Sequence, residues 1–130
     1  MACRVVRLGS PRARAEGIRI GTVRRPPRGV PKRDFARCGY YDVWLPELAP
    51  SAELVKLALA ARTDTQWQAF ARRYRKEMSR PEASHLLDLL AALSSTTDFS
   101  VGCYCEDESR CHRSELDRLL TERGAEMRGG

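Results

Sequence analysis

The apolar residues change their spacing several times along the chain, and each change predicts an element. Residues 4–8 and 18–23 are short stretches rich in β-branched side chains, separated by a loop holding Gly9, Pro11 and Gly17, and both predict strands. Residues 24–32 contain Pro26, Pro27 and Pro31, which forbid a helix, and Gly29, which permits a sharp bend, so a basic loop follows the second strand. Residues 40–45 are aromatic and β-branched, suiting a short strand or an ordered connection that Pro46 and Pro50 end. From Ser51 the period becomes helical: Leu54, Leu57, Ala58 and Ala61 share a face, Ser51 suits the N-cap, and Glu53 sits in the first turn, where the helix dipole favours an anion.

Thr63 and Gln66 then fit a capping box, followed at i, i+3, i+4, i+7 and i+11 by Trp67, Phe70, Ala71, Tyr74 and Met78. Pro81 suits a first helical position, and Leu86, Leu87, Leu90 and Leu93 supply the apolar face of a third helix ending near Ser94. In residues 99–105, Phe99, Val101, Cys103 and Cys105 alternate with Ser100, Gly102 and Tyr104, the period of a strand. Leu116, Leu119 and Leu120 build a last helix stopped by Gly124, and residues 125–130 read as a frayed tail. Strands on both sides of three helices require long crossovers. The expected fold is therefore a single small α/β domain over residues 1–124, with a central, largely parallel sheet flanked by helices.

Composition narrows the setting. At 130 residues, 42% hydrophobic and 31% charged, the chain suits one globular domain, and no apolar run is long enough to span a bilayer, so a membrane is not an expected partner. The start carries Arg4 and Arg7 without the apolar stretch of a secretory signal, and five cysteines are an odd and uneven set for a disulfide framework. A cytoplasmic location with reduced thiols is expected. The net charge of +6 is lopsided: residues 1–50 hold 11 basic and 4 acidic side chains, the remainder 12 and 13. The basic side chains are arginines except Lys32, Lys56 and Lys76, which favours planar, bidentate recognition of phosphate or carboxylate. A basic face is equally often a solvated, solubilising surface.

The densest reactive cluster runs from Cys103 to Arg113, where a strand should hand over to a helix, the usual ligand position in an open α/β sheet. With Ser109 as its cap, the helix would place Cys111 in its first turn. There the backbone N–H groups, with Arg110 and Arg113, favour an anion and would lower the pKa of the Cys111 thiol, which would then alkylate faster than the strand-buried Cys103. Cys111 and His112 are thus the candidate catalytic residues. Helical neighbours point about 100° apart, so each is expected to need its own partner. Arg24, Arg25, Arg28 and Arg113 are the candidate anion-binding residues. Zinc is not expected: Cys103, Cys105, Cys111 and His112 are ligands of allowed type, but their spacing matches no common finger, and two strand cysteines would stand about 6.6 Å apart by rise alone. A phosphatase loop fails as well, because the sixth position after Cys105 is Cys111 and not an arginine. The structural alternative makes Cys103 and Cys105 small apolar core residues. His85, Trp67 and Tyr74 read as helix-face and core residues; Tyr40, Tyr41 and Trp44 read as core more readily than as stacking platforms.

Taken together, residues 23–32, Asp42 to Leu45, Leu48 to Ser51, Trp67 to Tyr74, Cys105-Glu106 and Cys111-His112-Arg113 resemble the YeaO-like proteins of the domain-of-unknown-function family 488. The likeness extends from about Arg4 to Leu120. It implies a small bacterial α/β domain with an arginine-rich loop after a strand and the Cys-His-Arg segment at a later strand-to-helix junction. The wider family's pattern keeps the positions of Cys105 and the Cys-His-Arg but not Cys103, which weighs further against four zinc ligands. The expected function is binding of a small anionic ligand, phosphate- or nucleotide-like, at that junction, with Cys111 or His112 for chemistry and without a cofactor. The alternative is a non-catalytic nucleic-acid or protein-binding module that uses the basic N-terminal face.

Overall fold

The computed structural model describes residues 1–104 and 111–128. Five parallel strands, β1 (Cys3–Arg7), β2 (Ile18–Gly21), β3 (Val43–Trp44), β4 (Phe99–Cys103) and β5 (Met127–Arg128), form one sheet in the order β3-β2-β4-β1-β5. β4 is central, with β1 and β2 on either side. The register aligns Cys3 and Ile18 with Phe99, and Val5 and Ile20 with Val101, so these residues line one face of the sheet.

The described residues form four α-helices, all of which contribute to the core on that face: α1 (Ala52–Ala60), α2 (Asp64–Met78), α3 (Pro81–Leu93) and α4 (His112–Glu122). Leu54, Trp67, Phe70, Tyr74, Leu87, Leu90, Leu116, Leu119 and Leu120 pack there with Cys3, Val5, Phe99 and Val101. The helix boundaries follow local chemistry. Ser51 accepts from the Leu54 N–H at the start of α1, and Thr63 and Gln66 form a reciprocal capping box at the start of α2. Pro81 opens α3, and Gly124, at φ +81°, takes the left-handed conformation that ends α4. On α1, Leu54 is buried as expected whereas Leu57 is exposed.

Among the described residues, no α-helix covers the opposite face. It carries Arg19, Gly21, Ser100 and Gly102, and the long connections over residues 8–17 and 31–42 lie against it. Gly21 is required there, because a Cβ would collide with the ring of the buried Tyr41. The polar cover is organised by Arg19, which is 0% exposed. Its guanidinium donates to both carboxylate oxygens of Glu16 (2.7 and 2.9 Å) and to the carbonyls of Ser10 (2.9 Å) and Gly39 (2.6 Å). Glu16 also accepts from the Ser100 hydroxyl (2.6 Å) and the Ala13 N–H (3.0 Å). One buried ion pair thus fastens both connections to the sheet, and Arg19 belongs to this scaffold and not to a free basic surface.

Two expectations at the C-terminal end change. Residues 125–130 were expected to fray, but Met127–Arg128 form β5 beside β1, the Cys3 N–H donates to Glu126 O (2.8 Å), and the Glu126 N–H donates to the Ser94 hydroxyl (2.8 Å). The paired groups are more than 30 residues apart in sequence, so the local pattern could not show them. The expected strand over 99–105 ends at Cys103, and α4 begins at His112 with Cys111 as its N-cap. Cys105, Ser109 and Arg110 lie outside the described residues.

Candidate functional site

The junction is built where β2 and β4 end and α4 begins. Thr22, the residue after β2, donates its N–H and its hydroxyl to Gly102 O on β4, both at 2.9 Å, which fixes the orientation of its own carbonyl. That carbonyl lies 2.8 Å from His112 Nε2. A carbonyl can only accept, so Nε2 carries a proton, and in the neutral tautomer that this selects the lone pair is on Nδ1. Nδ1 lies 3.9 Å from Cys111 Sγ.

The two neighbours meet because Cys111 is not helical. As N-cap it is extended (φ −136°, ψ 150°), so the 100° offset of helical neighbours does not apply to this pair. This corrects the expectation that each residue needs a separate partner. It also moves Cys111 out of the first turn, and with 0% exposure the thiol is not open to solvent, against the expectation of ready alkylation.

Cys103 completes the group. The sequence favours a purely apolar role for it, but its Sγ lies with Cys111 Sγ and a His112 ring nitrogen in a set of three donor atoms that are all within 4.8 Å of one another. All three residues are buried. β4 brings Cys103 to the end of the sheet, and the N-cap of α4 brings Cys111 back over it. Strand spacing weighs against a metal through Cys103 and Cys105, of which Cys105 lies outside the described residues; among those described, Cys103 meets Cys111 and His112.

Two positioning residues escape sequence reasoning. Tyr74 on α2 sets its ring edge-on to His112, with centroids 5.6 Å apart, while its hydroxyl donates to Leu48 O (2.7 Å). Burial first, then the nearby Cys111 and Cys103, raise its pKa and keep the phenol neutral. Its helical spacing marks it as core, which is true of its body and silent about its edge. Thr22 carries no sequence signal, since its partner is 90 residues away.

The four candidate arginines do not converge. Arg113 is buried, at 4% exposure, in the first turn of α4 directly after the Cys-His pair. Arg25 is exposed, but its carbonyl accepts from the Tyr104 hydroxyl (3.1 Å), so the loop following β2 is tied to the end of β4. Arg28 is exposed further along that loop. Arg24 donates from Nε to Pro50 O (3.2 Å) and lines a cavity of about 280 Å3 with Glu47, Ser51, Glu77 and Arg80. It therefore faces the starts of α1 and α3, beside carboxylates, instead of joining the cysteine–histidine group.

Fold and site together define a parallel α/β domain with a buried cysteine–histidine cluster at the C-terminal ends of its strands. The chain belongs to the DUF488 family: the subfamily DUF488-N3a, described as the active DUF488-N3 subclade, matches residues 3–124. Neither a curated protein nor a solved structure matches it. Among the described residues, no helix is long and apolar enough to cross a membrane.

Proposed function

We propose that this protein binds a small anionic ligand, phosphate- or nucleotide-like, where β2 and β4 end against the start of α4, and that Cys111 and His112 are the groups there that act on it. The observation that carries this reading is the buried Arg113 guanidinium in the first turn of α4, at the end of the sheet where β2 and β4 stop. A helix start and a buried cation both favour negative charge, and they coincide at the ends of parallel strands, where α/β folds bind ligands. Arg25 and Arg28 belong to the loop that Tyr104 ties to this end of the sheet, and they supply the outer charge. Arg24 is left out of the proposed site. We place the protein in the cytoplasm, where thiols stay reduced.

Titration with inorganic phosphate, followed by backbone amide chemical shifts, tests the reading. Saturable shifts concentrated at residues 22–23 and 111–114, weakened in Arg113→Lys, are the expected result. Shifts confined to exposed arginines, or none at all, overturn it. A response that needs DNA or RNA and collapses between low and moderate salt would favour the non-catalytic basic-face alternative.

A further inference from the structure

We infer that Cys103, Cys111 and His112 bind Zn2+ as a three-ligand Cys2His site whose fourth coordination position receives the anionic ligand. The metal part stands on its own geometry; the anion part rests on the function proposed above. Three observations carry the metal part. The donor set is soft, two thiols and an imidazole, the types that select zinc over hard cations. The donor atoms already lie within 4.8 Å of one another, and Cys111 Sγ and His112 Nδ1 are 3.9 Å apart, close to the separation of two ligands about 2.0–2.3 Å from one tetrahedral ion. The outer contacts are also those of a metal-bound histidine: Nε2–H donates to a backbone carbonyl, Thr22 O, which leaves Nδ1 as the coordinating nitrogen, and the Tyr74 ring holds the imidazole edge-on.

Charge favours the same conclusion. Zn2+ displaces one proton from each thiol, and the resulting Zn2+ with two thiolates and a neutral imidazole carries no net charge. A neutral group is one this buried corner can hold without the large cost of an unpaired ion. Among the described residues the donor set is Cys2His, the set of zinc centres that take water or substrate at a fourth position, whereas structural sites close all four positions with protein. Arg113 is the next residue along α4 and is itself buried, so the start of the helix carries positive charge near the group. Cys111 and His112 would then act on the ligand through the ion they hold.

The test uses the full chain, reduced and stripped with a chelator, titrated with Co2+ as a spectroscopic stand-in for Zn2+. The expected result is saturation at about one equivalent, with thiolate-to-cobalt charge-transfer absorption of the intensity of two thiolates and the visible bands of a tetrahedral ion; Zn2+ should then displace the cobalt. Affinity should fall about tenfold or more in Cys103→Ser, Cys111→Ser and His112→Gln, and stay unchanged in Cys38→Ser, which alters an exposed thiol. Inorganic phosphate should shift the visible bands of the wild-type complex. If wild-type protein with native circular dichroism takes up less than about a tenth of an equivalent, the metal site is wrong, whatever the variants do; this leaves the amide-shift test of anion binding untouched. Full occupancy that phosphate does not perturb, or an intensity requiring a third thiolate, overturns the open position while the metal site stands.

Discussion

Replacing Glu16 by Gln should destabilise the fold by about 3 kcal/mol at pH 7, and the loss should shrink in acid. Glu16 is 3% exposed and is bonded by Arg19, the Ser100 hydroxyl and the Ala13 N–H. Burial alone would raise its pKa. The hydrogen bonds from Arg19, Ser100 and Ala13 and the charge of Arg19 outweigh burial and bring it from 4.5 down to about 2. A depressed pKa means that the ionised group binds its site better in the folded state, so its stabilisation is complete above the unfolded value and is lost as pH falls from about 5 through 2. At 1.36 kcal/mol per pKa unit the contribution is about 3 kcal/mol at pH 7 and about 1 kcal/mol at pH 3. Leaving the Arg19 guanidinium buried without its carboxylate gives an independent figure of about 3–5 kcal/mol. The assay is urea unfolding of wild type and Glu16→Gln across this pH range. The difference between the two curves is the quantity to read, because Asp42 is also held low and shapes the wild-type transition. A difference below about 1 kcal/mol at pH 7, or one that does not narrow by pH 3, would refute the assignment of Glu16 as the ionised anchor of the loop-covered face.

Gly21→Ala should cost about 1–3 kcal/mol, read by urea unfolding, since the new methyl collides with the Tyr41 ring; a neutral result would mean that the ring can move aside. Thr63→Ala should cost about 1 kcal/mol and selectively raise amide exchange in the first turn of α2, where the capping box is lost. Mass-spectrometric alkylation at pH 8 should modify exposed Cys38 rapidly and native Cys3 hardly at all, because burial and then the Asp117 charge push the Cys3 thiol up to about 12; fast labelling of Cys3 in folded protein would contradict its burial.

Much of the helical half was legible because its signals are local. The Thr63–Gln66 box, Ser51 and Pro81 mark their helices within four residues, and the Trp67, Phe70, Tyr74 and Met78 spacing names the buried face directly. The parallel sheet followed from the order of elements, but its strand order did not, because every pairing of β4 joins distant segments. Arg19 shows the limit plainly: in sequence it is one more arginine of a basic half, and its burial depends on a loop carboxylate and on Ser100, 84 residues beyond Glu16. At the site, the strand-to-helix junction and its Cys-His pair were legible. The extended N-cap that lets adjacent side chains meet was not, nor was the convergence of Cys103, since both depend on how the chain returns from β4 to α4.

The position of β4 also dictates an order of assembly. β1 and β2 each pair with β4, which begins at Phe99, so during synthesis neither has its main partner until most of the chain has left the ribosome. Before that, β2 has its short pairing with β3, while α1, α2 and α3 can form from contacts close in sequence. β1 waits the longest, with the apolar face of Cys3 and Val5 uncovered and both edges open. The nascent chain is therefore a helical half looking for its sheet, exposed to mispairing until a single strand arrives and zips two waiting neighbours together. The cysteine–histidine cluster draws Cys103 from that strand and Cys111 and His112 from beyond it, and the contacts of His112 with Thr22 and Tyr74 are available to it only when the late-made segment docks on the earlier ones.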